Sequence, residues 1–335
     1  MHKAVLGGAA VVALTIALTS CSGATDGSSG GEEQPDYPTE QITLNSPFDP
    51  GGGIDLAINT LIMSLNESGI SDADMRLSNI PGGSGLVAAA TLAGDYDGDD
   101  STLLVTSVSS LSATIQNPGQ VGLDQMTPLG GLYAEYTYIY VPADSPWQTL
   151  DDVADAIKAG PGDVTFTGAS LGSADNIVVA QFAQSLGLDF SDLAYVPLAG
   201  DENAAAILGG NSEVAAGGPD LLDLVDSGDV RVLAVSAPER LTSERVTDIP
   251  TMAELGYDVT QANWRGVFGP PNMPQYAIDY WDDTLTQLAD AEEWQDAADQ
   301  NVWDLTPMDR DEFTSFLEDQ TDSLTTVLTS LGLVN

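Results

Sequence analysis

Asn45-Ser46-Pro47-Phe48-Asp49-Pro50-Gly51-Gly52-Gly53-Ile54-Asp55 is the stretch on which the fold turns. Ile42 and Leu44, just before it, alternate with polar residues as a short strand does. After the glycines, Ile54, Ala57, Ile58, Leu61, Ile62 and Leu65 recur at helical spacing. A strand, a glycine loop and a helix in that order point free backbone N–H groups, and the positive end of the helix dipole, at whatever lies above the loop. An anion is the natural occupant. A second loop of this kind, Asn79-Ile80-Pro81-Gly82-Gly83-Ser84-Gly85, separates a strand expected at Met75 to Ile80 from a helix expected at Leu86 to Ala93. Two such loops close together suit a ligand with more than one carboxylate.

Outward from these loops the pattern repeats. Ser101 to Ser107 reads as a buried strand ending in hydroxyls, with Ser109 just beyond, and Tyr136 to Val141 as a strand leaving a first domain. Thr149 with Asp152 resembles a capping box for a helix that Gly160-Pro161-Gly162 stops. Strands follow at Val164 to Thr167, Leu193 to Leu198, Val214 to Ala216 and Val230 to Ser236. A helix is expected from Ala174 to Leu186, a short one at Ala204 to Leu208, and another opening at Gly217-Gly218-Pro219. Asn263 to Pro271 reads as a return strand, and the remainder as helical around Ile278, Leu285, Leu288, Trp294, Phe316 and Leu324. Strands alternating with helices imply an α/β fold with mostly parallel sheets, whose ligands sit beyond the carboxyl ends of the strands. No fixed-period repeat stands out.

The N-terminus carries an address. Met1-His2-Lys3 precedes an apolar run from Ala4 to Leu18, too short to span a bilayer comfortably, and Leu18-Thr19-Ser20-Cys21 resembles the bacterial lipobox. Residues 1–20 read as a lipoprotein signal, Cys21 as the lipidated residue, and 21–40 as a flexible tether rich in Gly, Ser, Asp and Glu. The expected location is extracytoplasmic, on the outer face of the cytoplasmic membrane. Eight Lys and Arg stand against 51 Asp and Glu, for a net charge of −43, which excludes nucleic acid as a partner and reads as a solvated, halophilic surface. The single histidine, His2, and the single cysteine both lie in the leader region. The chain beyond Cys21 has no imidazole base, no histidine metal ligand and no disulfide framework; no metal or cofactor is expected.

Two motifs suggest other chemistry. Gly168-Ala169-Ser170-Leu171-Gly172 matches the serine-hydrolase elbow G-x-S-x-G, but no histidine is present beyond the leader to serve as its base. A secreted serine hydrolase is therefore the distant alternative, and the same loop serves better as a cradle for a carboxylate. Gly83-Ser84-Gly85-Leu86-Val87-Ala88 fits the loose dinucleotide pattern, but Thr106-Ser107 stands where a ribose-binding acid belongs. Gly51 to Gly53 lacks the Lys-Ser/Thr of a P-loop. Asp220 and Asp223 follow Pro219 at a helix start, where first-turn N–H groups would hold them. Arg265, between Trp264 and Gly266, is placed either to grip a carboxylate or to pair with an acid.

From about Ile42 onward the chain resembles the solute receptors of tripartite tricarboxylate transporters. Pro47 to Asp55 fits the pattern P-F-x-x-G-G-x-x-D, Asn79 to Gly85 fits N-x-P-G-x-x-G, and Gly168 to Ser173 supplies a glycine- and serine-rich loop. Arg231 to Ser236, Pro250-Thr251-Met252-Ala253-Glu254-Leu255-Gly256 and Trp264 to Pro271 complete the match. The resemblance implies a type II periplasmic-binding-protein fold. Its first lobe would comprise 41–140 and 263–335 and its second 141–262, closing on a carboxylate. It implies a monomeric receptor, not an enzyme, that hands a citrate-like di- or tricarboxylate to a membrane permease. A sensory or scavenging receptor of the same fold is the alternative. The residues expected at the ligand are Gly51, Gly52, Gly53, Asp55, Gly82, Gly83, Ser84, Ser107, Ser109 and Arg265 from the first lobe, and Ser170, Gly172, Ser173 and Gly218 from the second.

Overall fold

Residues 37–198 and 200–334 are described by a computed structural model. The signal sequence and Cys21 lie outside the described residues. Tyr37, within the 21–40 stretch read as a tether, is packed. The Tyr37 ring lies edge-on to Tyr276 and Tyr280, its hydroxyl donates to the Asp100 carbonyl, and it accepts from Trp281 Nε1 at 3.0 Å.

The first sheet grows from β1 (Ile42–Ser46), α1 (Gly53–Glu67), β2 (Met75–Asn79), α2 (Leu86–Asp95), β3 (Thr102–Ser107), α3 (Val108–Gln116) and β4 (Thr127–Tyr136). The second holds β5 (Tyr138–Pro142), α4 (Leu150–Ala159), β6 (Thr165–Gly168), α5 (Ala174–Ser185), β7 (Ala194–Pro197), α6 (Asp201–Leu208), β8 (Val214–Gly217), α7 (Leu222–Asp226) and β9 (Val230–Val235). The chain then returns through β10 (Ala262–Gly269) and closes with α8 (Gln275–Ala289), α9 (Glu292–Asn301) and α10 (Arg310–Ser330).

Strand order is β2-β1-β3-β10-β4 in one sheet and β7-β6-β8-β5-β9 in the other. Each has three parallel strands, then one antiparallel strand, then a fifth antiparallel to that one. The two lobes therefore share one topology without sharing a sequence repeat. Both faces of each sheet are covered, as parallel sheets require. In the first lobe, Ile58, Leu61, Trp281 and Trp294 pack on one face, and Leu104, Trp264, Phe268 and Phe313 on the other. In the second lobe, Phe166, Val178 and Phe182 cover one face; Tyr138, Tyr140, Ile207 and Leu222 cover the other.

The strand expected at Tyr136 to Val141 is two strands, broken at Thr137, and β5 belongs wholly to the second sheet. A boundary at 140 falls inside β5. Thr137 is the single residue between β4 and β5. Its N–H donates to Ser236 Oγ at 3.0 Å and its carbonyl accepts from Ser236 N–H at 2.9 Å. Ser236 Oγ in turn donates to the Gln261 carbonyl at 3.1 Å. Both chain crossings are thus buried side by side and tied together. Helix α4 carries the capping box read at Thr149 and Asp152. Helix α3 and strand β4 are additions to the elements expected from the sequence. Asp220 and Asp223 do stand in first turns, but no side-chain capping bond forms there among the described residues, and Asp223 pairs with Arg245.

Candidate functional site

The carboxyl ends of β1, β2 and β3 bring three helix starts together. Gly51 has φ +95°, and its N–H donates to Asp55 Oδ2 at 2.8 Å, while Asp55 Oδ1 accepts from Asn79 Nδ2 at 2.8 Å. Asp55 therefore staples the first glycine loop to the end of β2 and is itself buried. Gly82, Gly83, Ser84 and Gly85 all have positive φ, at +132°, +57°, +51° and +106°. A Cβ on Gly85 would lie 2.1 Å from Ser110 Oγ, so only glycine lets the second loop approach α3 this closely. Ser84, exposed and left-handed, holds a conformation that costs a non-glycine residue energy.

The starts of α2 and α3 carry no acidic residue in the first turn and no side-chain cap among the described residues. At α2 the Leu86 N–H donates to the Gly83 carbonyl and the Val87 N–H to the Gly82 carbonyl at 3.3 Å, so the available first-turn N–H groups are those of α3, beside buried Ser107 and half-buried Ser109. Behind the start of α1 stands Arg265. A Cβ on Gly53 would sit 3.4 Å from its guanidinium. Arg265 is buried and paired with Glu135, which also accepts from Trp303 Nε1 at 3.0 Å. The guanidinium lies 5.9 Å over the Tyr133 ring, and Tyr133 stacks on Trp303 at 4.0 Å. Burial holds the Tyr133 hydroxyl protonated, with its pKa well above the usual value.

The second lobe's loops are built differently. In Gly168 to Ser173, the Ala169 N–H donates to Asp175 Oδ2 at 3.1 Å and the Gly172 N–H to Asn176 Oδ1 at 2.9 Å. Ser173 Oγ caps α5 by accepting from the Asn176 N–H at 3.3 Å. Two of the loop's N–H donors, those of Ala169 and Gly172, are thus consumed, while Ser173 Oγ engages there only as an acceptor. Ser170 is exposed, and the Gly218 carbonyl accepts from Tyr140 Oη at 2.7 Å. Gly172, at φ +80°, is one place where the lobes touch: a Cβ there would lie 2.7 Å from Gln116 Nε2. Beside that contact a hollow of about 500 Å³ is bounded by Gly83, Ser84, Val87, Gln116 and Leu171.

Sequence patterns alone do not single out Asp175, Asn203, Glu135 or Thr137, and they give Asp220 only a capping role. Asp175 Oδ1 accepts from Thr137 Oγ1 at 2.9 Å, tying α5 to the crossing between the two sheets. Burial, with Asp220 and Glu135 nearby, pushes its carboxyl up to about 6. Asp220 is also raised, by desolvation first and then by Glu135, Asp201 and Asp223, although solvent reaches it. The one signal in the sequence is that Asp175 and Asp220 each follow a glycine loop at a strand end.

A family model described as the tripartite tricarboxylate transporter family receptor matches residues 74–333. Protein BugT of Bordetella pertussis is 29% identical over 245 residues, covering 70% of this chain and 72% of its own. A protein encoded in the gbd 5' region of Cupriavidus necator is 23% identical, covering 89% of each chain. Among solved structures, a Rhodopseudomonas palustris protein with adipate superposes with TM-score 0.76 at 20% identity, covering 89% of this chain and 99% of its own. MatC of the same organism, with bound malate, superposes with TM-score 0.72 at 19% identity, covering 87% of this chain and all of its own. Periplasmic binding protein BugD gives TM-score 0.75 at 19% identity, with 89% and 99% covered. These likenesses establish the two-lobed binding-protein fold. No helix among the described residues is long and apolar enough to cross a membrane. The chain belongs to the tripartite tricarboxylate transporter receptor family, whose members are extracytoplasmic solute receptors.

Proposed function

We propose that the protein is a lipid-anchored receptor that captures a small carboxylate outside the cell and presents it to a membrane permease. The observation that carries this reading is the first lobe's rim, where α1, α2 and α3 converge with Arg265 behind Gly53 and no acid at the starts of α2 and α3. Helix N-termini and a guanidinium bind anions through N–H donors, without any titratable base. Malate in one structural neighbour and adipate in another favour a ligand of dicarboxylate size over a citrate-like tricarboxylate. Transport is favoured over sensing by the family to which the chain belongs. The anchor rests on Cys21 and the residues before it.

Mass spectrometry of the ligand released from purified protein tests the reading. A small carboxylate is the expected finding; a neutral sugar or a carboxyl-free amine would overturn it.

A further inference from the structure

We propose that the second lobe carries another binding site, at the end of its sheet remote from the cleft, for a small monoanion with an apolar body. The site is independent of the receptor reading above, which concerns the cleft.

The sheet register fixes its position. Tyr138, at one end of β5, pairs with Gly217 and Val235 at the cleft end of the sheet. Pro142, at the other end of β5, pairs with Val230. The strand between Tyr138 and Pro142 spans roughly 13 Å. At the remote end, a hollow of about 320 Å³ lies between β9, α7 and the segment after β9. Leu222, Val225, Val230, Val232 and Ile249 give it an aliphatic wall. Its volume falls within the roughly 300–1,000 Å³ of small-molecule pockets, which pair an apolar wall with a few charged groups in this way.

The charged groups point to the ligand. The chain holds eight Lys and Arg against 51 Asp and Glu, yet two arginines line this hollow against a single acid, Asp226. That acid is already engaged. It pairs with Arg245 at 2.6 Å, and Asp223 accepts from the same nitrogen. Arg231, half-buried, makes no ion pair among the described residues. Its guanidinium donates to the Trp147 carbonyl at 3.1 Å and to the Ala143 carbonyl at 3.0 Å. Two carbonyls hold the group in place without neutralising it, and only two of its five N–H donors are used. A carboxylate on an apolar stem answers both features: the stem lies on the aliphatic wall and the head pairs with Arg231. A second negative charge on the ligand would meet Asp226, so the class is a monoanion.

The probe is 4-iodobenzoate, set against the uncharged 4-iodobenzamide. Anomalous diffraction from crystals soaked in the benzoate should place iodine in the hollow. Calorimetry on the full chain should show the benzoate binding about tenfold or more tightly than the amide. Arg231→Gln keeps a donor for the two carbonyls and should empty the hollow of iodine. Val225→Trp, which fills the hollow and leaves Arg231 in place, should do the same. Ser109→Ala, in the cleft, should leave the iodine in the hollow unchanged. Iodine in the cleft alone would overturn this inference and leave the receptor reading standing. So would occupancy unmoved in both lobe-2 variants, or equal binding of benzoate and benzamide. Iodine in the hollow with no heat of binding in solution would mean binding at crystal concentration only, which also overturns it.

Discussion

The two lobes have the same strand order and unlike rims, although α1 of the first lobe also carries a first-turn aspartate, Asp55. In the first, α2 and α3 begin without acids or side-chain caps, and an arginine lies behind α1. In the second, Asp175 stands in the first turn of α5, Asp201 in that of α6 and Asp220 in the turn before α7. A shared topology therefore fixes where the helix starts fall and leaves open what they attract. The first turn bears on that: the uncapped start of α3 favours an anion, whereas aspartates in the first turns of α1, α5 and α6 already occupy that place.

The comparison breaks most severely at Arg265. Replacing it by Met leaves Glu135 nearly enclosed, with Trp303 as its remaining hydrogen-bond donor. A loss of about 3 kcal/mol or more is expected in denaturant unfolding, together with loss of carboxylate binding. Pairing it with Glu135→Gln should recover most of the stability and none of the binding. Recovery of both would mean that the arginine is purely structural.

Asp175→Asn gives an effect of opposite sign. A carboxyl raised to about 6 from 3.8 makes the folded state hold a proton that the unfolded chain gives up earlier. Stability linked to Asp175 is therefore greatest below about pH 4 and is lost as pH rises through 6. Removing the charge should stabilise the unliganded protein at pH 7 by about 1–2 kcal/mol, since water reaches this cleft and screens it. The advantage over wild type should vanish at pH 4. Thermal melts across that range check it, with Glu135 and Asp220 left in place as the neighbouring charges.

The smallest effect separates two serines. Ser109→Ala, on the donor rim, should weaken the carboxylate about tenfold with an unchanged melt. Ser173→Ala removes a cap and should cost about 1 kcal/mol of stability while leaving affinity nearly unchanged. Calorimetry and melting on both variants check the contrast; identical behaviour would erase the distinction between the rims.

Much of the fold was legible because glycine loops and apolar periodicity are local properties. β1 and α1, α4 with its capping box, and α5 all fall where those signals put them. Strand β4 was not legible, because Pro128, Gly130 and Gly131 argue against a strand. They are tolerated for tertiary reasons. β4 is an edge strand, and a Cβ on Gly130 would meet Leu285 and Met308 within 3.1 Å. Helix α3 was hidden by its serines, one of which, Ser110, packs against Gly85. At the site, loop positions could be read but not loop satisfaction. Ser173 looks the same in the sequence whether it holds a ligand or Asn176 N–H, and Asp175 looks like any first-turn acid until Thr137 is beside it.

Thr137 has a mechanical consequence. With one residue between β4 and β5, and Ser236 bonded to both its N–H and its carbonyl, the two lobes share an axle rather than a joint. Torsion there can turn one rim toward the other but offers little slack for sliding. Since Asp175 grips the Thr137 hydroxyl, the axle is geared directly to a residue of the cleft. A dye pair spanning the rims would then report a single angular coordinate, which suits this scaffold to a one-parameter optical sensor.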